Sequence, residues 1–380
     1  MMRVGRCALL WLLLSLALTG CWDVKDIQDI NYLTAIGLDH VDHKYRVYVQ
    51  MIDFTSVAKT ETGKPTQQIP IWIGEGEGET LIGALNDLYR SSQLRIFYGQ
   101  INTIVFSEKI MKIGLTDVKE LLSRYYEIRY TPWVFGTKEP IDKLFAVHPF
   151  FNLSPLMSML HQPQEIYKQQ SIIKPLTLRE FVADYREPGN TTLLPSLATA
   201  AASWKKDMEP KEMLTIDGVF AFHDRQYKEW IYWRNLPGLR WMEPSTNRSP
   251  ILLRDGETIV AGIYLERPKV KITPYMRGNE ASFTIKVEAE GYISEAFIQM
   301  SESALERKTA AQVRKQIKET YEEGLTYNLD LLRLEHALYR KKTRDWKRLQ
   351  AQGGLHLTPD SLESINVTIK LEHSGKKKSK

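Results

Sequence analysis

The chain has 380 residues, of which 43% are hydrophobic and 26% charged, with a formal net charge of +5. That length is ample for two or three domains with cores of their own, and the composition is that of a globular protein. Without Arg3 and Arg6 the net charge falls to +3, a bias too weak to argue for a nucleic-acid partner.

The first element is a leader. Arg3 and Arg6 are followed by an apolar run from Ala8 to Leu18, broken only by Ser15. A helix needs about 20 apolar residues to cross a bilayer, and this run falls well short. A basic start, a short apolar run and small residues before a cut describe a secretory signal. The residues Leu18-Thr19-Gly20-Cys21 resemble a bacterial lipobox. That resemblance implies that Cys21 carries an S-diacylglyceryl group, that residues 1–20 are removed, and that the new amino terminus is acylated. The alternative is a plain secretory signal with an incidental cysteine. The cysteine count favours the lipid: Cys7 leaves with the leader, and residues 21–380 retain Cys21 alone, with no partner for a disulfide. Two acyl chains anchor stably, at about 0.8 kcal/mol per buried CH₂.

No second apolar span follows. Strands are expected around Leu33–Leu38 and Val47–Ile52, with a turn over Asp39–Lys44 between them. Thr55–Gln68 reads as a loop and Ile69–Ile73 as a strand. Thr80 caps a helix from Leu81 to about Ser92, with Leu81, Leu85 and Leu88 on one face. Ile101–Phe106 is a strand, Thr116 or Asp117 opens a helix, Trp133–Gly136 is a strand, and Leu144 sits in a short helix. A further helix starts at Leu178. The charged, proline-bearing stretch Lys205–Lys211 marks the expected domain boundary. Beyond it, strands are expected at 217–222, 228–233, 259–265, 269–272 and 282–291. The last alternates Phe283, Ile285, Val287 and Ala289 against polar residues. A helical pattern runs from about Ser303 to Arg340, with Gly324 and Asn328 marking a break. A turn at Gly353-Gly354 and a strand over Ile365–Leu371 close the fold.

Candidate chemistry is sparse. Gly74-Glu75-Gly76-Glu77-Gly78-Glu79-Thr80 has the glycines of a phosphate loop, but its glutamates would repel phosphate and no Gly-Lys-Ser/Thr follows, so a flexible turn is expected. His40 and His43 with Asp39 and Asp42 lack a third nearby histidine, so a turn is expected there and no metal site. The motifs Gly-x-Ser-x-Gly, His-Glu-x-x-His and Walker A are absent. Asp207 and Glu209 read as solvated linker acids. Trp230, Tyr232, Trp233 and Trp241 could form a ligand shelf, although core and sheet packing is the stronger expectation. The stripe Val313–Leu338 is expected to pack on its own sheet. The residues thus point to no enzyme, no cofactor and no metal.

A family resemblance adds to this. Gly20-Cys21-Trp22-Asp23 with Asp26-Ile27, Ala35–Asp39, Arg95-Ile96-Phe97-Tyr98-Gly99-Gln100, Leu193-Leu194-Pro195, Asp217–Phe222, and Asp330-Leu331-Leu332 with Trp346 resemble, in order, the Ger(x)C family, the C subunits of spore germinant receptors. The match to Leu334–Arg340 is looser. The resemblance implies a mixed α/β, multi-domain lipoprotein on the outer face of the inner spore membrane, working with membrane-spanning A and B subunits in the response to nutrients. It implies no catalytic residue, so Cys21 is the one site carried over. The expectation is therefore an α+β chain of mixed sheets packed with helices, the long helices lying near the C-terminus. Its expected parts are a signal peptide over 1–20, an N-terminal α/β region over 21–205 (one unit or two subdomains), a C-terminal α+β domain over 212–375, and a Lys-rich tail over 376–380. The expected role is a lipid-anchored, non-enzymatic receptor subunit. The alternative is a lipid-anchored extracytoplasmic protein that captures a small nutrient itself.

Overall fold

The computed structural model describes residues 30–53, 68–125 and 127–372. Cys21, the leader, the 376–380 tail and the Thr55–Gln68 loop apart from Gln68 lie outside them.

The spine of the first sheet is β1 (Ile30–Val41), buried from Leu33 to Leu38 on both faces as a central strand requires. It turns at Asp42 and His43, both in left-handed backbone, into β2 (Lys44–Ile52), and β3 (Ile71–Gly78) pairs next; both junctions are antiparallel. Helix α1 (Leu81–Tyr89) leads to β4 (Arg95–Phe97) and β5 (Thr103–Ser107), each parallel to β1. Helices α2 (Glu108–Ile113) and α3 (Thr116–Arg124) cross over to β6 (Trp133–Thr137), parallel to β5. Next come α4 (Ile141–Phe145), α5 (Pro163–Gln169), β7 (Leu176–Thr177), α6 (Leu178–Arg186) and β8 (Thr192–Ala200). A two-stranded ribbon, β9 (Lys205–Lys206) with β10 (Glu209–Pro210), precedes β11 (Met213–His223) and β12 (Gln226–Tyr232). The sheet order is β12-β11-β8-β6-β5-β1-β2-β3, with β4 on β1 and β7 on β6. Leu85, Ile110, Leu121 and Phe181 cover one face, and Ile141, Leu144, Phe145 and Leu160 the other.

At this level one expectation changes and a second finds its place in the fold. The glycine-glutamate repeat is no turn: Gly74 to Gly78 continue β3, paired from Val49 to Tyr45 of β2. The reason is a helix lying close. A Cβ on Gly76 would stand 2.2 Å from the Ala84 carbonyl oxygen, and one on Gly78 2.5 Å from the Ala84 nitrogen. Only glycine lets α1 rest on this strand, while Glu77 pairs with Lys44 at 2.7 Å and with Arg46 at 3.1 Å. Thr80 caps α1 as expected, its hydroxyl accepting from the Gly83 N–H. Second, the expected boundary at 205–212 falls at the tip of a long hairpin. Its arms β8 and β11 pair antiparallel from Thr192–Phe222 to Ala200–Met213. A solvated hairpin tip has the same charged, proline-bearing composition as a linker.

After helix α7 (Leu239–Met242), the second sheet is formed by β13 (Ser249–Asp255), β14 (Thr258–Arg277), β15 (Glu280–Ala296) and β16 (Leu362–Glu372). Phe283, Ile285, Val287 and Ala289 are buried, and their alternate neighbours face outward, as the sequence pattern predicts. Helix α8 (Glu302–Thr326) lays Leu305, Val313, Ile317 and Tyr321 into this core. The chain breaks after Thr326, with Asn328 at a φ of 53°, and resumes as α9 (Leu334–Lys341) and α10 (Thr343–Ala351). It then returns as β16, parallel to β15. The result is an α+β fold, as expected, with its longest helix near the C-terminus. Among the described residues no helix is long and apolar enough to cross a membrane.

Candidate functional site

The one site residue predicted from sequence, Cys21, lies outside the described residues. Ile30, the first described residue after it, opens β1 level with Arg95, where β4 begins. The other residues weighed from sequence scatter. The His40 ring stands edge-on to Tyr45, and His43 occupies the turn. Of the four aromatics, Trp230, Tyr232 and Trp233 are in series, with ring centres 6.2 and 6.0 Å apart, and Trp241 lies in the other core. Trp230 belongs to the first sheet, where its Nε1–H donates to Ser196 Oγ at 3.0 Å and the Lys138 ammonium sits 3.4 Å from its ring centre. Trp241 is fully buried in the second core and donates to Gln316 Oε1 at 2.6 Å. Trp233, expected at a strand end, opens a 3-10 turn.

The structure instead assembles three features that the sequence did not mark as sites. The first is the seam between the sheets. Leu329 and Leu331, from the break after α8, pack with Val219, Ala221 and Ile231 of the first sheet. Between them lies Asp330, buried, whose carboxylate accepts the N–H groups of Leu332 at 3.1 Å and Glu335 at 2.7 Å. The residue preceding α9, Arg333, has a left-handed φ of 61° and offers no side-chain cap, so Asp330 satisfies the first turn in its place. Burial pushes the Asp330 carboxyl up to about 7, against the lowering effect of the N–H groups it accepts. Glu335 is buried as well and raised by the same cause; Trp346 Nε1–H donates to it at 2.9 Å and Gln350 Nε2–H at 2.8 Å. His223, at the end of β11, faces Glu335 across the seam at 3.6 Å. Arg333–Asp184 at 3.0 Å and His336–Glu187 at 3.2 Å bracket it.

The second feature is a buried polar chain inside the first sheet. His161 Nε2 lies 2.8 Å from Gln50 Oε1, which also accepts the Thr34 hydroxyl at 2.9 Å. Gln50 Nε2–H donates to the Phe145 carbonyl at 2.8 Å, which orients the amide. Both ring nitrogens thus face amide oxygens, Nε2 that of Gln50 and Nδ1 that of Asn102. Burial pulls this histidine down to about 3.

The third is a cleft of about 720 Å³ between α3, α6 and the Asp224-Arg225 turn. Its floor is apolar, with Phe106, Leu178 and Phe181, and Lys119, Arg186 and Asp224 stand at its rim. Asp224 also lies 3.6 Å from the seam residue His223. Among the described residues, no group of three or more His, Cys, Asp or Glu side chains is arranged to hold a metal ion.

The one signal for the seam in the sequence was Asp330 beside two leucines. His161 gave none, because a lone histidine among prolines and serines carries no spacing to read.

Comparison with known proteins bears on all of this. Residues 23–199 match the model of the spore germination protein N-terminal domain, and residues 217–375 that of the spore germination B3/GerAC-like C-terminal domain. The second match includes β12 and most of β11, so the C-terminal family segment contributes strands to the first sheet. Spore germination protein KC of Bacillus subtilis (strain 168) is 25% identical over 400 residues, covering 99% of this chain and 97% of that protein. The putative spore germination protein YfkR of the same organism is 24% identical, covering 75% of this chain and 73% of that protein. The crystal structure of the GerBC protein aligns with a TM-score of 0.49 at 13% identity, over 88% of this chain and 96% of that one. With both halves matched in order along nearly the whole length, the chain belongs to the Ger(x)C family of spore germination proteins.

Proposed function

We propose that this protein is the lipid-anchored, non-enzymatic subunit of a spore germinant receptor. It is held by acyl groups on Cys21 on the extracytoplasmic face of the membrane, the inner membrane in spores, and acts with membrane-spanning A and B subunits in the response to nutrients. The observation that carries this reading is the position of Cys21. It closely follows a short apolar run, it is the one cysteine after that run, and the family match starts two residues later at Asp23. On this reading residues 1–20 are the leader, and the family segments, 23–199 and 217–375, all lie after Cys21. Tethering confines the body near the bilayer and raises its effective concentration for membrane partners to the millimolar range. Its folded surface then supports the receptor by contact.

Cys21→Ala in a sporulating host tests this. The variant is expected to leave the membrane fraction and to slow nutrient-triggered germination at least tenfold. A variant that stays membrane-bound in spores germinating normally would sink the reading.

A second reading is favoured by the 720 Å³ cleft, whose apolar floor and rim of both charge signs suit a small zwitterion. Calorimetric titration of residues 21–380 with amino acids and sugars tests it. Saturable binding that Phe181→Trp abolishes by filling the floor would favour direct capture; no heat with any of them would leave the receptor subunit alone.

A further inference from the structure

One end of the first sheet gathers the side chains that a lipid–water boundary favours. Ile30 stands level with Arg95, and Leu33 level with Met51, itself level with Trp72. A Cβ on Gly74 would touch Leu88 of α1, so strand alternation places Trp72 on that same face, by the C-terminal end of the helix. Trp72 is 64% exposed, and Tyr89, at the C-terminal end of α1, and Leu94, just before β4, are exposed as well. The Tyr89 and Tyr98 hydroxyls meet, the Tyr98 ring packs on Tyr125 at 4.7 Å, and the three tyrosines line a cleft of about 700 Å³ together with Leu94, Arg95 and Arg124. Arg90, Arg95 and Arg124 ring this end on exposed side chains, with Asp87, Glu127 and Glu120 as their respective carboxylate partners. Tryptophan and tyrosine rings settle at headgroup depth. Arginine lays its stem along apolar surface and keeps its guanidinium with water or phosphate.

The tether selects the same end. Nine peptide units join Cys21 to Ile30, a reach of at most about 30 Å. With its 12 residues, β1 is about 40 Å long. The far end of the sheet has exposed apolar side chains too, Phe151, Trp204 and Met208, with Phe150 against Trp204 at 4.9 Å. Standing on that end would lift Ile30 beyond the reach of its own tether.

We propose that the sheet end bearing Trp72, Tyr89 and Leu94 rests on the bilayer surface, its rings in the interface and Arg90, Arg95 and Arg124 at the headgroup phosphates. This orientation rests on the anchor at Cys21 proposed above.

The test fixes the tether chemically, so that it does not depend on cellular acylation. Residues 21–380 contain the whole described fold and a single cysteine. The Cys21 thiol is coupled to a maleimide-headgroup lipid in phosphatidylcholine–phosphatidylglycerol vesicles that also carry brominated acyl chains. Trp22 adjoins the tether, so Trp22→Phe serves as the background. Bromine is expected to quench part of the tryptophan emission, and Trp72→Phe to abolish that part while Trp204→Phe leaves it. Quenching that survives Trp72→Phe, that disappears with Trp204→Phe, or that is absent overturns the proposal. A bare Cys21 thiol in the natural protein would count against the anchor itself and would not alter this vesicle result.

Discussion

His161 and Asp330 are buried for different purposes and act on stability with opposite sign. His161 titrates at about 3 in the fold against 6.5 when free, so between those values the unfolded chain binds more protons and stability falls as the pH is lowered. Asp330 titrates at about 7 against 3.8. There the folded state binds more protons, so its contribution is full below pH 3.8 and is lost as the pH rises to 7. The windows overlap, so single variants are needed to separate them. His161→Gln is expected to flatten the loss of stability below pH 6.5. Asp330→Asn is expected to remove the loss toward pH 7, and to cost about 1–3 kcal/mol, because an amide turns a donor toward one of the N–H groups the carboxylate accepts. Urea midpoints from pH 4 to 8 check both; unchanged pH profiles would show that these groups do not titrate as their burial dictates. Neither role was legible beforehand. The partners of His161 come from Gln50 and Asn102, distant in sequence, and Glu335 meets His223 only where two sheets join.

At the scale of elements, patterns that depend on neighbours along the chain were legible. The alternation of Phe283 to Ala289, the Thr80 cap and the break near Gly324 and Asn328 all follow from local rules. The glycine-glutamate repeat failed because its glycines answer to a helix, not to a turn. Gly76→Val is therefore expected to push α1 off β3 and destabilise the first sheet by about 1–3 kcal/mol, the usual cost of overpacking. Gly256→Ala is the control, since a Cβ there meets nothing within 4 Å, although its left-handed backbone costs about 1 kcal/mol. Equal urea midpoints for Gly76→Val and wild type would contradict the close approach of strand and helix. At 205–212 the charged composition marks a solvated hairpin tip, and the two family segments part around it, one ending at 199 and the other starting at 217.

For the whole molecule, the seam decides whether the two sheets behave as one body. Leu331 is buried between them, from the second unit against the first. Leu331→Ala is expected to cost about 2–5 kcal/mol and to split into two transitions a heat-absorption profile that is expected to be single in the wild type. A single sharp transition in the variant would show that the units are joined elsewhere. The ion pairs at the rim, such as Arg333–Asp184, are half exposed and contribute at most about 1 kcal/mol each, so the seam stands on its leucines and on the Asp330 cap.

The sequence by itself determined the α+β class, most of the elements and membership of a germination family, because each is written in short-range pattern: periodicity, caps, and motifs met in order. Only the tertiary structure decided that residues 213–232 complete the first sheet, that glycines at 74–78 seat a helix, and that Asp330, Glu335 and His223 share a seam. These depend on pairings between residues tens to hundreds of positions apart, and such pairings are chosen by the packing of whole layers, which no local window of sequence contains.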